Sequence, residues 1–189
     1  MRIVSFDPGR ECSWARFDTA TPWRVEIGTL TMIGSGRLLR PCPMHLSEVI
    51  RDADQCVVEE VGARTGQGVS AVFSFGLCVG TILGSISAHH KPVVLVSPPE
   101  WKNASRLGGL TDDAIKEGSR AYARELWPEH EQILRVKKNH GMAEAALMAR
   151  WYFLKGPGRD IPFDDTQGDG PMRAPVPDQA PASALAMIS

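Results

Sequence analysis

The chain has 189 residues, with 21 basic and 22 acidic side chains and a formal net charge of -1. This length predicts one domain with a substantial core and a tail, and the charge excludes a strongly basic or strongly acidic protein. The segment after Lys155 is acidic, so the remaining body is net +2, which neither requires nor excludes a nucleic-acid partner.

The first third of the chain predicts an antiparallel run of strands. Residues 2–6 are a β-rich segment that stops at the turn sequence DPG, and two alternating segments follow it. A helix and a central strand come next, with two valines leading into Glu59. We expect these five elements at residues 2–6, 12–18, 24–32, 43–53 and 55–61.

A long helix with regularly spaced glycines is predicted over residues 69–88. Gly76, Gly80 and Gly84 recur at every fourth position, although each glycine lowers helix propensity by about 1 kcal/mol. We interpret this stripe as close backbone packing, either against the sheet or a neighbouring helix within the fold, or at a dimer interface.

The C-terminal half predicts one more strand and two helices, at residues 92–96, 111–126 and about 140–153. Thr111 is suited to cap the first of these helices. The last helix places His140 and Glu144 on one side, together with apolar residues. From residue 156 onward, prolines and glycines without apolar periodicity predict a flexible tail over residues 156–189.

The order of these elements predicts a mixed α/β sheet covered by helices on both faces, in one domain over residues 1–155. Four cysteines without CxxC or zinc-finger spacing are expected to be reduced packing residues. We find no apolar stretch that approaches the roughly 20 residues needed to span a bilayer, and no signal-peptide pattern before the first strand. The expectation is therefore a cytoplasmic protein without membrane contact.

Four side chains in or beside apolar segments are candidates for a metal site, namely Asp7, Glu59, His140 and Glu144. An unpaired charge in a buried segment is costly, so such residues are normally kept only with a partner or a metal. Hard oxygen ligands beside open space suit Mg2+ or Mn2+, which keep water ligands and accept phosphate oxygens. His140 and Glu144 are one helical turn apart, so both side chains are able to face the same cations.

The same residues are suited to phosphodiester hydrolysis. Two cations about 3.5–4 Å apart activate a water molecule and stabilise the leaving oxygen. Lys137 and Lys138 precede the last helix, where either lysine is placed to steady the scissile phosphate. The pattern therefore predicts an enzyme with two Mg2+ or Mn2+ ions per active site.

Four motifs in the chain resemble those of RuvC-type Holliday-junction resolvases, especially the phage and prophage branch. They are DPG after the first strand, VVEEV followed by GQGVSAVFSFG, VSPPEWK, and KKNHGMAEAALMA. The resemblance covers roughly residues 1–154, with the motifs in the same order. It implies a ribonuclease-H-like fold, a homodimer, Mg2+ dependence and paired nicks in a four-way DNA junction.

The resemblance also implies roles for individual residues. Asp7 matches the first-strand aspartate, Glu59 the central-strand glutamate and Glu144 the final carboxylate of the last helix. His140 matches the remaining ligand, which is aspartate or histidine in the family. Two departures leave the identity of that ligand open: Asn139 stands where relatives often carry aspartate, and the step from His140 to Glu144 is one residue longer than usual.

Candidate DNA contacts lie around these motifs. The loop at residues 63–68 leads into the helix with the glycine stripe, where the resemblance implies contacts with the junction centre. An aromatic ring and a lysine after the Pro-Pro turn are suited to stack on a base and to contact a phosphate. The candidate residues are Arg10, Arg64, Gln67, Trp101, Lys102 and Lys137.

Several of these residues also have structural interpretations. Asp7 alone is more typical of a turn, and Glu60 competes with Glu59 because strand alternation sends the two to opposite faces. His140 could cap or pack the last helix. Trp101 is equally compatible with a partly buried anchor.

Three other functions are compatible with the sequence. The first is a ribonuclease-H-like nuclease on forks, flaps or RNA-containing hybrids. The second is a module that binds junctions without cutting them, which the substitution at Asn139 favours. A nucleotide-binding protein of the actin-like fold is the weakest, because the chain lacks a second DxG-type phosphate loop and is too short for two such domains.

Overall fold

The computed structural model describes residues 1–155 except Arg10, Val61 and residues 63–65, so the predicted tail lies outside the described residues. The strands of the described part are β1 (Arg2–Asp7), β2 (Ser13–Asp18), β3 (Val25–Thr29), β4 (Met32–Ile33), β5 (Arg40–Pro41), β6 (Gln55–Glu59) and β7 (Val93–Val96). Five of them form one sheet in the order β3-β2-β1-β6-β7, and β4 pairs with β5 in a separate ribbon.

The helices in the described residues are α1 (Pro43–Ile50), α2 (Val69–Ala88), α3 (Pro98–Ala104), α4 (Asp112–Leu126), α5 (Glu131–Leu134) and α6 (His140–Lys155). Short 3-10 helices occur at Gly36–Leu38, Pro128–His130 and Lys137–Asn139. The cap predicted for α4 is present, because the Thr111 side chain accepts a hydrogen bond from the Ala114 backbone N–H.

The five-stranded sheet is mixed, as the sequence predicts. β1, β2 and β3 form the antiparallel meander, whereas β6 pairs parallel to β1 on one side and to β7 on the other. Because successive strand residues point to opposite faces, Ile3 and Val57 pack in one hydrophobic cluster, and Val4 and Val58 pack in a second one. The first cluster lies under α4 and α6 and the second under α1 and α2, so both faces of the sheet are covered.

The final helix, α6, is buried on nearly all sides between the sheet and α4. Small residues such as Ala145, Ala146 and Ala149 are fully buried, which allows the helix axis to approach the strands closely. The hydroxyl of Ser5 on β1 donates a hydrogen bond of 2.6 Å to the carbonyl oxygen of Ala145. This bond holds the second turn of α6 against β1.

Three element predictions are wrong in detail. The third predicted strand, residues 24–32, is divided between β3 and β4. The central strand ends at Glu59 instead of residue 61. The segment after β7 was expected to be only a Pro-Pro turn, but it forms α3, because prolines are favoured in the first turn of a helix and Glu100 accepts hydrogen bonds from Ser97.

The glycine stripe of α2 does not pack within the described fold. The helix buries Cys78, Ile82 and Ile86, which lie on one face, and exposes Gly76, Gly80 and Gly84 on the other. No described atom lies within 4 Å of a Cβ atom built at any of the three glycines. For the described residues, the interpretation as packing against the sheet or a neighbouring helix is therefore wrong, and the dimer interpretation stays a prediction.

The expectation that no apolar segment reaches the length of a membrane span is also wrong. By length and composition, the 20 residues of α2 are sufficient to cross a bilayer. Its inner face, however, packs in the second hydrophobic cluster with the completely buried Leu46 and Ile50 of α1. Only 17% of the apolar window is buried in the described part of the chain, so most of it is left uncovered.

Two of the four cysteines lie together. The sulfur atoms of Cys12, which follows β1, and of Cys78 on α2 are in contact, across a Cα separation of 7.7 Å. This separation is longer than the range of about 4.4–6.8 Å usual for disulfides, so the expectation of reduced cysteines stays a prediction. Among the described residues, Cys42 and Cys56 are free thiols. Burial raises the pKa of the Cys56 thiol to about 12, which keeps it protonated as a packing residue.

Candidate active site

Two of the predicted carboxylates lie side by side at one edge of the sheet. Asp7 is the last residue of β1 and Glu59 the last residue of β6, and these parallel strands pair from Ile3 and Gln55 up to Phe6 and Val58. The carboxyl ends of parallel strands meet at the same edge. Asp7 and Glu59 therefore follow the last paired residues, one on each strand.

Strand alternation decides between Glu59 and its neighbour Glu60. Asp7 and Glu59 have the same parity as Ile3 and Val57, which face α6 in the first hydrophobic cluster. Glu59 is 8% exposed, whereas Glu60 lies beyond the strand and is exposed to solvent. The carboxylate at residue 59 is thus the one directed towards the last helix.

The start of α6 brings the third carboxylate to the same place. Gly141 lies against β1 and β2, since a Cβ atom built there would be 2.7 Å from Asp7 Oδ2 and 2.7 Å from Ser13 Oγ. Glu144 follows three residues later and is only 9% exposed. The absence of a side chain at residue 141 is what lets α6 come this close to Asp7.

Electrostatics show that the three carboxylates form one cluster. The pKa of Asp7 is raised well above its ordinary value by burial, then by the charges of Glu144 and Glu59. Burial, followed by the charge of Glu59, raises the pKa of Glu144 to about 7. Lys102 opposes both shifts, so its positive charge acts on the cluster.

The donor set fits a hard divalent cation. Three carboxylates in a partly desolvated space repel one another. A cation bound between them would attract each carboxylate and so offset that repulsion. In the described part of the chain, no three His, Cys, Asp or Glu side chains already form a ligand cage. Mg2+ does not need such a cage, because it is usually held by one or two carboxylates with water and substrate phosphates as further ligands.

His140 lies beside this cluster, at the entrance to it. It is partly exposed at the start of α6, and its Nδ1 is 3.3 Å from the Lys137 carbonyl oxygen. Together with Asp7 and Lys138, it lines a cleft of about 260 Å³. The structure therefore brings His140 and Lys138 to Asp7, while Glu59 and Glu144 lie on the inner side of the cluster.

Trp101 is not available for base stacking, which corrects the prediction of a stacking surface. Its side chain is completely buried, and its indole Nε1–H donates a hydrogen bond of 2.9 Å to Glu59 Oε1. The charge of Lys102 acts on Asp7 and Glu144, and its predicted phosphate contact stays a prediction. The sequence did carry a signal for this buried position. The tryptophan lies in a helix that begins at Ser-Pro-Pro, and a buried indole usually needs a hydrogen-bond acceptor.

The remaining candidates lie around the site or outside the described residues. Gln67 is exposed just before α2, at a cleft of about 410 Å³ that also includes Gly9 and Phe75. Lys137 is exposed in the 3-10 helix before α6. Arg10 and Arg64 lie outside the described residues.

Asn139 has a structural role in this fold. Its side-chain amide donates a hydrogen bond of 2.8 Å to the carbonyl oxygen of Ile133 at the end of α5. The side chain thereby joins α5 to the 3-10 helix that precedes α6. Relatives often carry aspartate at this position. Its replacement by asparagine leaves the described cluster of Asp7, Glu59 and Glu144 with all three carboxylates.

Comparisons with known proteins bear on the fold and on the family resemblance. No protein-family model matches the sequence. The chloroplastic Holliday junction resolvase MOC1 of Chlamydomonas reinhardtii is 36% identical over 86 residues, which are 46% of this chain and 9% of that relative. The chain thus matches only a small part of that relative's length.

Solved structures of RuvC from Thermus thermophilus share the architecture. One superposes with a TM-score of 0.50 at 18% identity, covering 80% of this chain and 95% of the RuvC chain. A second, in complex with a Holliday junction substrate, gives a TM-score of 0.53 at 16% identity, covering 80% and 94%. The ribonuclease-H-like fold of RuvC is thereby confirmed, as is the resemblance to RuvC-type Holliday-junction resolvases.

Proposed function

We propose that this protein is a metal-dependent, structure-selective DNA endonuclease that resolves four-way junctions by paired symmetric nicks. The observation that carries the proposal is the convergence of Asp7, Glu59 and Glu144 from three separate elements at one edge of the sheet. Support comes from the matched resolvase and from RuvC, whose structure in complex with a Holliday junction has the same fold.

The residues proposed to hold two Mg2+ or Mn2+ ions are Asp7, Glu59, His140 and Glu144. When bound, such cations would activate a water molecule and stabilise the leaving oxygen of the phosphodiester. Burial of Glu59 and Glu144 between the sheet edge and α6 limits the access of bulk water to these carboxylates. His140 would complete the set from the exposed entrance, where a phosphate has access.

Lysines on two sides of the cluster would bind and orient the scissile phosphate. Lys138 lines the cleft that contains Asp7, so its ammonium group is placed to contact a phosphate oxygen entering there. Lys102 approaches from α3 and offsets part of the negative charge of Asp7 and Glu144. Lys137, Gln67, Arg10 and Arg64 are proposed to contact DNA further from the cleavage position.

A homodimer is part of the proposal, because paired incisions need two sites related by a twofold axis. The uncovered face of α2 is suited to contact a second copy, since Val69 is 86% exposed and Phe73 is 52% exposed. Val93 and Leu95 on edge strand β7 are also exposed, and their pairing with Cys56 and Val58 places them on the same sheet face as α2. A protein partner would cover this apolar surface in a cytoplasmic enzyme.

The test is cleavage of matched synthetic DNA substrates by the purified full chain in Mg2+. Four-way junctions, forks, RNA–DNA hybrids and linear duplex should be compared, and we expect symmetric nicks in the junction. Asp7→Asn should bind junctions without cutting them. Asp18→Asn is the matched control, because Asp18 ends β2 just as Asp7 ends β1 but is not among the charges that shift the pKa of the cluster.

Other outcomes would select another function. Preferred cleavage of forks or hybrids would replace junction resolution by a related nuclease activity. Equal junction binding by wild type and Asp7→Asn, with cleavage by neither protein, would identify a binding module. Loss of cleavage in Asp18→Asn as severe as in Asp7→Asn would contradict the assignment of the site.

A further inference from the structure

One hydrogen bond connects the proposed metal site to the hydrophobic core. The indole Nε1–H of Trp101 on α3 donates to Oε1 of Glu59 on β6, at 2.9 Å. Both side chains are buried, with exposed fractions of 0% and 8%. A hydrogen bond from a neutral donor to a carboxylate is directional and shorter-ranged than a Coulomb interaction, so it restricts the orientation of the carboxylate plane.

The donor is held rigidly. Trp101 belongs to the first hydrophobic cluster, together with Val57, Ala143 and Leu147. The helix that carries it begins with two prolines, which restrict the backbone, and with hydrogen bonds from Ser97 to the Glu100 carboxylate. The indole is therefore fixed by packing on one side and by the stiff start of α3 on the other.

The acceptor has two oxygens with different surroundings. Oε1 of Glu59 receives the indole N–H, which leaves Oε2 as the oxygen without that donor. Glu59 shares the sheet edge with Asp7, and its charge reaches both Asp7 and Glu144. Fixing Oε1 towards α3 thus restricts the position of the other oxygen, on a carboxylate whose charge acts on both neighbours.

We propose that Trp101 is a positioning residue that orients Glu59 for cation binding through its indole N–H, an inference that rests on the proposed metal-dependent function. Trp101 itself touches neither cation nor DNA, since its side chain is completely buried. Hydrogen-bond partners behind metal ligands commonly contribute 10–100-fold to metal affinity. The same range is expected at Glu59.

The experiment compares Trp101→Phe with Trp127→Phe in the full chain. Both tryptophans are buried in the same cluster, but Trp127 donates its N–H to the Pro22 carbonyl oxygen at 3.4 Å, with no carboxylate involved. Both substitutions remove an indole N–H and leave an aromatic ring. Mn2+ affinity, measured by calorimetry without DNA, should fall about 10–100-fold in Trp101→Phe and stay at the wild-type value in Trp127→Phe.

A spectroscopic measurement on the wild type does not depend on whether either variant folds. In a 15N-labelled sample, addition of Mg2+ should shift the indole N–H resonance of Trp101 and leave that of Trp127 in place. This response requires contact between the indole and a cation ligand, which a purely structural role in packing would not produce.

The outcomes separate this inference from the proposed function. Wild-type affinity for Mn2+ in Trp101→Phe, an equal loss in Trp127→Phe, or an unmoved Trp101 resonance would each overturn the positioning role while leaving the nuclease proposal intact. Absence of any Mn2+ or Mg2+ binding by the wild type would instead contradict the proposed metal site, and the positioning role with it.

Discussion

Gly141 of α6 lies directly against the carboxylate of Asp7 on β1. A Cβ atom at residue 141 would be 2.7 Å from Asp7 Oδ2, a distance that real Cβ atoms essentially never show. The glycine thus sets how closely the last helix approaches the end of the first strand. The position of Glu144 relative to Asp7 depends on that approach.

Gly141→Ala should separate α6 from Asp7 and impair cleavage more than folding. The added methyl group overlaps with Asp7 and with Ser13, so we expect a loss of about 1–3 kcal/mol in the free energy of unfolding, as in other overpacked sites. Cleavage rates on a four-way junction and urea unfolding are the measurements. Gly118→Ala on α4 is the control, because the added Cβ atom would meet only the flexible end of the Leu107 side chain, at 2.7 Å, and no carboxylate of the cluster. Its cleavage rate should stay near that of the wild type. Wild-type cleavage by Gly141→Ala would contradict the close approach.

The metal-free protein should lose stability as pH rises. The pKa of Glu144 is raised from 4.5 to about 7 in the folded state, so between these values the folded state binds more protons than the unfolded state, and stability falls with rising pH. Glu144→Gln removes this titration and should stabilise the protein at about pH 8 by an amount on the order of 2 kcal/mol.

Urea unfolding in EDTA at about pH 5 and about pH 8 measures this effect. Glu60→Gln is the matched control, because Glu60 is exposed and should leave the pH dependence unchanged. The assignment of Glu144 to the cluster fails if both variants show the wild-type slope.

Removing the positive charge of Lys102 should raise the pKa of Glu144 above about 7, because Lys102 lowers it in the folded protein. Carbon-13 NMR titration of the glutamate carboxyl groups in Lys102→Met measures the change. Lys116→Met should raise the pKa of Glu144 less, since Lys116 contributes less than Lys102, and should leave that of Asp7 in place. A larger effect of Lys116→Met would show that Lys102 is not the main positive charge acting on Glu144.

Phe73→Asp should dissociate the proposed dimer. Phe73 is 52% exposed on the uncovered face of α2, where a charge is tolerated in a monomer but not in an apolar interface. Analytical ultracentrifugation should show a dimer for wild type and a monomer for the variant. Ile133→Asp is the control, because Ile133 is 42% exposed on α5 at the opposite face of the sheet. A wild type that sediments as a monomer would refute the dimer.

Much of the fold was accessible from the sequence because local patterns agree with it. The alternation in β1 and β2, the valines before Glu59 and the cap at Thr111 each specify an element without reference to the rest of the chain. The same patterns failed at α3, where two prolines were interpreted as a stop although they open a helix. They also failed for the glycines of α2, since spacing alone does not show whether the facing surface belongs to the same chain.

The sequence by itself determined the residue types of the site and their order, since carboxylates at strand ends and in an alanine-rich helix are visible without coordinates. Only the tertiary structure decided how these groups are oriented. The strand register and the alternation of side chains direct Glu59, and not Glu60, towards α6. Trp101 is buried and donates a hydrogen bond to Glu59, so it does not serve as the predicted DNA contact. The physical reason is that periodicity is a local property of the chain, whereas desolvation, charge coupling and hydrogen bonding depend on distances between residues far apart in sequence.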